Sequence, residues 1–246
     1  MPVYRLPKDA VFPPPQRAEP DGLLAVGGDL GIKRLLIAYS MGIFPWYSEG
    51  SPILWWSPDP RLVLFPDELK ISRSLRRTLR KGSFMVTMDT AFEQVIRSCA
   101  ALHMTGKGGT WITDDMVRAY IRLHKAGYAH SVESWADGNL SGGLYGVSLG
   151  TVFFGESMFA KKSDASKVAF VFLVERLREW GCTVIDCQVT TSHLRRLGAR
   201  EIPRGDFLAL LDQGIDQPTR KGSWGETNQN AEDRIQNPEE KRGALP

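Results

Sequence analysis

In KISRSLRRTLRKG, Ile71, Leu75 and Leu79 recur every four residues, which predicts a helix with a single apolar face. Arg73, Arg76, Arg77 and Arg80 form a second, cationic stripe, and no acidic side chain occurs between 69 and 88 to cancel its field. Downstream, TWITDDMVRAYIRLHKAG predicts another helix: Thr113 as N-cap, two acids in the first turn, Met116, Val117, Tyr120 and Leu123 on one face, and Gly127 as the stop. The pattern then changes to strands. AHSVESWADGNLSGGLYGVSLGTVFFGESMF predicts three of them, with reversals at DGN (137–139) and at Gly150. SDASKVAFVFLVERLREWG predicts a long helix ending near Gly181, and TVIDCQV (183–189) returns a strand to the sheet before two further helical pieces. The order of helix, three strands, helix, strand and helix describes an α+β fold with a mainly antiparallel sheet.

The two ends read differently. Residues 1–62 are rich in Pro and Gly, with one helix expected from Ile32 to Met41, and form a small, loop-rich N-terminal domain ahead of the larger one at 63–215. From 216 to 246 there are few aliphatic residues and no periodicity, so a disordered polar tail is expected. With 42% apolar and 24% charged residues in 246, the chain is ordinary for a globular protein. No apolar run suggests a membrane span or a signal peptide, so a cytoplasmic protein is expected. The net charge of +3 does not by itself indicate a nucleic-acid partner, whereas the stripe near Arg77 is either a solvated helix face or a phosphate-binding surface.

Candidate chemistry narrows by elimination. His103, His124, His130 and His193 show no HExxH pattern and no carboxylates at ligand spacing, so neither a metal nor another cofactor is expected. Neither GxxxxGK[ST] nor GxGxxG occurs. Cys99, Cys182 and Cys187 are too few for a disulfide framework and lack a CxxC spacing. Asp186 and Gln188 attract notice because alternation along VIDCQV places them on one face, with Ile185, Cys187 and Val189 on the other. They are either a catalytic pair or two strand-end residues bonding to backbone. Glu156 sits between apolar pairs in FFGESMF, where an unpaired carboxylate is costly, so it requires a cationic or hydrogen-bond-donating partner. Trp46, Trp111, Tyr120 and Phe153 fit core packing individually and a pocket for a flat base or apolar side chain collectively.

Taken in order, GDL, GIFPWYSEG, ILWWSPDPR, ISRSL, GTWIT, GLYGV, FFGESMF, IDCQV, HLRRLGA and EIPR resemble the bacterial leucyl/phenylalanyl-tRNA-protein transferases over about residues 20–212. The resemblance implies a GNAT-like acyltransferase domain and a monomeric enzyme. It implies transfer of Leu or Phe, and less efficiently Met, from aminoacyl-tRNA to proteins with N-terminal Arg or Lys, which creates N-degrons of the N-end rule pathway. It assigns catalysis to Asp186 and Gln188, the carboxylate polarising the amide. Glu156 lies beside them and attracts the cationic N-terminal residue of the acceptor. Trp46, Trp111, Tyr120, Phe153 and Ile185 match positions around the terminal adenosine and the aminoacyl side chain, with Leu144 where some relatives have Met. Arg73, Arg77, Arg80 and Lys81 match a helix that holds tRNA by its backbone.

The same residues leave two other readings open. An acetyl-CoA-dependent N-acyltransferase would need a pyrophosphate-binding loop, and AKKSDASK (160–167) is not of the glycine-rich form. A noncatalytic RNA-binding module would use the basic stripe and the aromatics but leave Asp186, Gln188 and Glu156 without a purpose. Trp55 and Trp56 are expected to fill the seam between the domains.

Overall fold

The computed structural model describes residues 3–104, 111–225 and the backbone of 227–228. Gly106, Gly108 and Gly109 of MTGKGGTW lie outside the described residues. The N-terminal segment is less loop-rich than its Pro and Gly content suggests. β1 (Tyr4–Leu6), β2 (Leu23–Gly27), β3 (Phe44–Pro45) and β4 (Leu54–Trp56) form a four-stranded sheet in the order β1-β2-β4-β3, and α1 (Ile32–Ser40) lies between β2 and β3 in the chain. The tryptophans belong to this sheet. Trp55 is fully buried, donates from Nε1 to the Gly27 carbonyl at 2.8 Å and packs edge-on against Phe12. Trp56 donates to the Trp46 carbonyl at 2.7 Å, so it braces Trp46 from behind.

The larger sheet has eight strands in the order β11-β5-β10-β9-β8-β7-β6-β12. They are β5 (Arg61–Leu64), β6 (Met85–Met88), β7 (Ala129–Ala136), β8 (Asn139–Leu149), β9 (Val152–Ala160), β10 (Val184–Gln188), β11 (Arg200–Ile202) and β12 (Thr227–Asn228). Every pairing is antiparallel except β9 with β10, which gives the expected α+β class with a mainly antiparallel sheet. β5 begins at Arg61, so Arg61 and Leu62 already pair in this sheet although the composition change suggests a boundary after 62.

α3 (Phe92–Met104) and α4 (Asp114–Lys125) cover one face, where their apolar residues join α1, Trp55, Val63 and Phe154 in one core. Thr113 caps α4 as expected, accepting from the Met116 amide at 3.3 Å. α5 (Ala165–Glu179) covers the other face, with α2 (Arg73–Arg80) packed beside it through Leu75 and Leu79. α5 is apolar nearly all round because the sheet and α2 enclose it. α6 (Ser192–Arg196) and α7 (Arg204–Ile215) complete the order. Among the described residues no helix is long and apolar enough to cross a membrane.

The expectation of a disordered tail from 216 is corrected for its first part. Trp224 is 4% exposed, its ring stacks on His130 at 3.6 Å between centroids, and its amide donates to Asp89 Oδ2 at 2.7 Å. A single large aromatic anchors a segment whose average composition is polar, which a window average cannot register. Residues 229–246 lie outside the described residues.

Candidate active site

The parallel ladder between β9 and β10 runs from Val184 opposite Val152 to Asp186 opposite Phe154 and stops there. Beyond that point the two strands contribute side chains to a pocket of about 330 Å³ between them. β10 also changes register against β5 between Asp186 and Gln188, and Gln188 adopts φ 62°, the left-handed region that non-glycine residues seldom occupy. This irregularity overturns simple alternation. Gln188 turns to the pocket together with Ile185, Cys187 and Val189, while Asp186 faces the opposite core. Backbone strain of this kind persists where surrounding bonds over-determine it, and two carboxylates do so here.

Asp186 is one of them. It is 0% exposed and receives both Arg61 Nε (2.8 Å) and Arg61 Nη2 (2.7 Å), a bidentate ion pair inside the protein. Arg61, itself 1% exposed, lies between the rings of Phe44 and Phe207 at 4.9 and 4.7 Å. The free capacity of Asp186 Oδ1 accepts the backbone amide of Gln188 at 2.9 Å. The carboxylate thus fixes the main chain of Gln188, and the expectation that it polarises the Gln188 side-chain amide is corrected. That amide has another partner.

Gln188 Nε2 donates to Glu156 Oε1 at 2.9 Å. Glu156 is 9% exposed and lines the pocket, and its remaining partners are phenols: Tyr39 donates to Oε1 at 2.7 Å and Tyr120 to Oε2 at 3.0 Å. The two phenol oxygens are also hydrogen-bonded to each other. The donor that FFGESMF required is therefore neutral, and no cation touches this carboxyl among the described residues. Burial raises its pKa to about 7, against the lowering effect of the three donors and with a further upward push from Asp186. Both tyrosines are wholly buried, and burial and the adjacent Glu156 raise them well above the ordinary phenol range. Tyr120 consequently stands behind Glu156 instead of forming the pocket wall.

The other expected substrate residues do meet. Trp46, Trp111, Leu144, Phe153 and Ile185 line the same pocket as Glu156 and Gln188, with Phe170 and Leu173 of α5 at its apolar end. Phe153 fits because Gly146 has no side chain, since a Cβ there would come within 2.5 Å of its ring. Trp224 lies behind it at 6.1 Å between centroids. Cys187 reaches the pocket as well, but burial pushes its thiol far above neutrality, so it supplies no thiolate.

Arg73, Arg77, Arg80 and Lys81 are all exposed on or just after α2, and none of the four has an acidic partner among the described residues. The helix is tied to the N-terminus of α5 by Thr78, which donates to Asp164 Oδ2 at 3.0 Å. Since α5 supplies Phe170 and Leu173 to the pocket, the basic face lies one helix away from it.

Two participants escaped the sequence. Tyr39 sits in an unremarkable helix, and Arg61 closes WWSPDPR without any local sign of its partner 125 residues away.

Residues 63–212 match the family described as leucyl/phenylalanyl-tRNA protein transferase, and residues 28–59 match the N-terminal domain of that family. The chain belongs to this family. Among its curated relatives, the leucyl/phenylalanyl-tRNA–protein transferase of Anaeromyxobacter sp. (strain Fw109-5) is 61% identical over 224 residues, covering 91% of this chain and 95% of that one. The protein of the same name from Syntrophobacter fumaroxidans is 62% identical, over 91% of this chain and 96% of its own. That from Myxococcus xanthus is 58% identical over 228 residues, covering 92% and 97%. As a member of the leucyl/phenylalanyl-tRNA protein transferase family, the chain carries its pocket, Glu156 and Gln188 within the matched residues.

Proposed function

We propose that this enzyme transfers Leu or Phe, and less efficiently Met, from aminoacyl-tRNA to the α-amine of proteins with N-terminal Arg or Lys, creating N-degrons. One observation carries the reading: in a chain of this family, an apolar pocket is closed at one end by a carboxyl and an amide bonded to each other. The aminoacyl side chain would occupy the apolar end between Leu144, Phe153 and Ile185, and the terminal adenosine would lie against Trp46 and Trp111. Leu, Phe and Met suit this end, whereas charged side chains would be left desolvated there.

An aminoacyl ester is already activated, so the reaction requires an uncharged amine held close to the carbonyl and correctly aimed. Gln188 would engage the amine, while Asp186, through the Gln188 backbone amide, fixes its position. The negative form of Glu156 would attract the cationic N-terminal residue of the acceptor. Arg73, Arg77, Arg80 and Lys81 would hold the tRNA through phosphates. We also propose that residues 1–62 and 63–215 act as two domains with this pocket lined from both.

The acetyl-CoA reading finds less support. Asp164 begins α5 in a left-handed conformation, and its carboxylate engages Lys167 and Thr78 where a pyrophosphate would need to dock. The deciding experiment measures labelled leucine moving from leucyl-tRNA to a peptide with N-terminal Arg, beside an N-terminal Ala control and an acetyl-CoA reaction. Label on the Arg peptide alone is expected. Acetyl-CoA consumption without any aminoacyl transfer would overturn the proposal.

A further inference from the structure

Tyr39, Tyr120 and Glu156 close a ring of three contacts: phenol to phenol, Tyr39 to Oε1 and Tyr120 to Oε2. Each contact needs one proton between its heavy atoms. The two phenols supply two, so the ring is complete only when the carboxyl carries the third. When Glu156 is ionised and both phenols donate to it, their own oxygens face each other with no proton between them. The arrangement therefore has a place for one exchangeable proton, and its only side that faces the pocket is the carboxyl of Glu156.

Resting on the transferase reading, we propose that Glu156 is the proton acceptor for the incoming α-ammonium group and that Tyr39, with Tyr120, is the positioning residue that makes the carboxyl able to hold and release that proton. The step balances as follows. The carboxylate takes one proton from the ammonium and leaves a neutral amine beside Gln188. The amine nitrogen attacks the ester carbonyl, the C–N bond forms, and the C–O bond to the terminal ribose breaks. The second amine proton passes to the departing ribose oxygen. The proton on Glu156 then leaves to solvent, which accounts for the single proton released when an ammonium and an ester become an amide and an alcohol. A glutamine amide could not serve in this role because its oxygen is a very weak base.

The groups facing Glu156 agree with an acceptor near neutrality. α1 presents Tyr39, α4 presents Tyr120, and β8 presents Tyr145, whose hydroxyl has no hydrogen-bond partner among the described residues. β10 presents Gln188 and, behind it, Asp186, whose charge is committed to Arg61. Cys99 of α3, beyond Tyr145, is pushed up to about 12 and stays a neutral thiol. Burial against neutral donors brings the Glu156 carboxyl to about 7, where a base is ionised often enough to act and basic enough to be useful.

The test compares wild type, Tyr39→Phe, Tyr120→Phe and Glu156→Gln by two readouts across about pH 5 to 9. The first is the infrared carbonyl band of a protonated carboxyl in the free protein, identified by its loss in Glu156→Gln. The second is the single-turnover rate of leucine transfer to one Arg peptide, whose own amine titrates identically in every variant. The band is expected to vanish with a midpoint near 7 in wild type. In Tyr39→Phe the midpoint should rise by about one unit, because a donor to the carboxylate is lost, and the acid limb of the rate profile should rise with it. Tyr120→Phe should do the same from the other oxygen, and Glu156→Gln should lower the rate at least about a hundredfold. A band midpoint below 5, or a rate profile unmoved by both phenylalanine variants, would overturn the proposal. Absence of transfer in wild type would instead remove the transferase reading, since the infrared midpoint is measured without substrate.

Discussion

Asp186 and Glu156 are both buried, and both hold Gln188, one by its main chain and one by its side chain. Their surroundings differ in kind. Asp186 faces a guanidinium enclosed by two aromatic rings, so its charge is matched inside the protein. Glu156 faces phenols and an amide, which bond to it without cancelling its charge. The first arrangement fixes geometry, and the second leaves a proton free to come and go. In the proposed reaction one carboxylate would aim the amine and the other would deprotonate it.

The largest effect that would break this comparison is loss of the ion pair. Asp186→Ala leaves Arg61 as a buried, unmatched cation and should lower stability by about 3 to 5 kcal/mol, measured by urea unfolding. It should also free the Gln188 backbone and abolish transfer while leaving tRNA affinity nearly intact. The double change Arg61→Met with Asp186→Leu should recover much of the stability and none of the transfer. Recovery of both would mean that Asp186 serves only to neutralise Arg61.

Glu156 should make the stability of the protein depend on pH. Its folded pKa of about 7 lies above the ordinary value of 4.5, so the protonated carboxyl favours the folded state. Its contribution is therefore fully present below about 4.5 and is lost as pH rises to about 7, amounting to on the order of 3 kcal/mol. The difference in unfolding free energy between wild type and Glu156→Gln should change over that window and be flat above it. A difference constant from pH 4 to 8 (about the accessible range) would show that Glu156 ionises as an ordinary carboxyl does.

How far the sequence reached follows the same division. The helices Arg73–Arg80, which starts after Ile71, and Asp114–Lys125, the three strands with their DGN reversal and the long apolar helix all follow local rules of period and capping, and the structure contains each of them. FFGESMF correctly demanded a donor for Glu156, because the cost of burying a carboxyl can be stated without knowing the partner. The identity of that partner could not be read, since Tyr39 arrives from a helix 117 residues away. Alternation failed at Gln188 because a register change against β5, set by the neighbouring strand, turns the side chain over. The bonding partners of Trp55 and Trp56 could not be read for a similar reason: their bonds to Gly27 and Trp46 depend on strand pairing that local composition does not encode.

The contrast between committed and uncommitted charge extends to the cations. Arg61 is bound to Asp186, whereas Arg77 and Arg80 stand exposed with no acidic partner among the described residues. Replacing both by Ala should hardly alter stability but should weaken tRNA binding about tenfold or more at low salt. The slope of log affinity against log salt should flatten by about 1.5 to 2, as expected for two lost phosphate contacts. An unchanged slope would place the tRNA elsewhere on the protein.

The smallest expected effect concerns Trp46 in the pocket lining. Gln188 is fixed by two buried acids, while Trp46, 40% exposed, has its carbonyl held by the Trp56 indole at 2.7 Å and its ring beside that indole at 6.0 Å between centroids. Trp56→Phe keeps an aromatic ring but removes that donor, a loss of about 0.5 to 1.5 kcal/mol in fixing Trp46. If Trp46 lies against the terminal adenosine, the change should raise KM for aminoacyl-tRNA by a few fold and leave kcat and the pH profile unchanged, because Gln188 and Glu156 keep their own bonds. A fall in kcat with unaltered KM would show that positioning of the ester depends on Trp46 as much as positioning of the amine depends on Gln188.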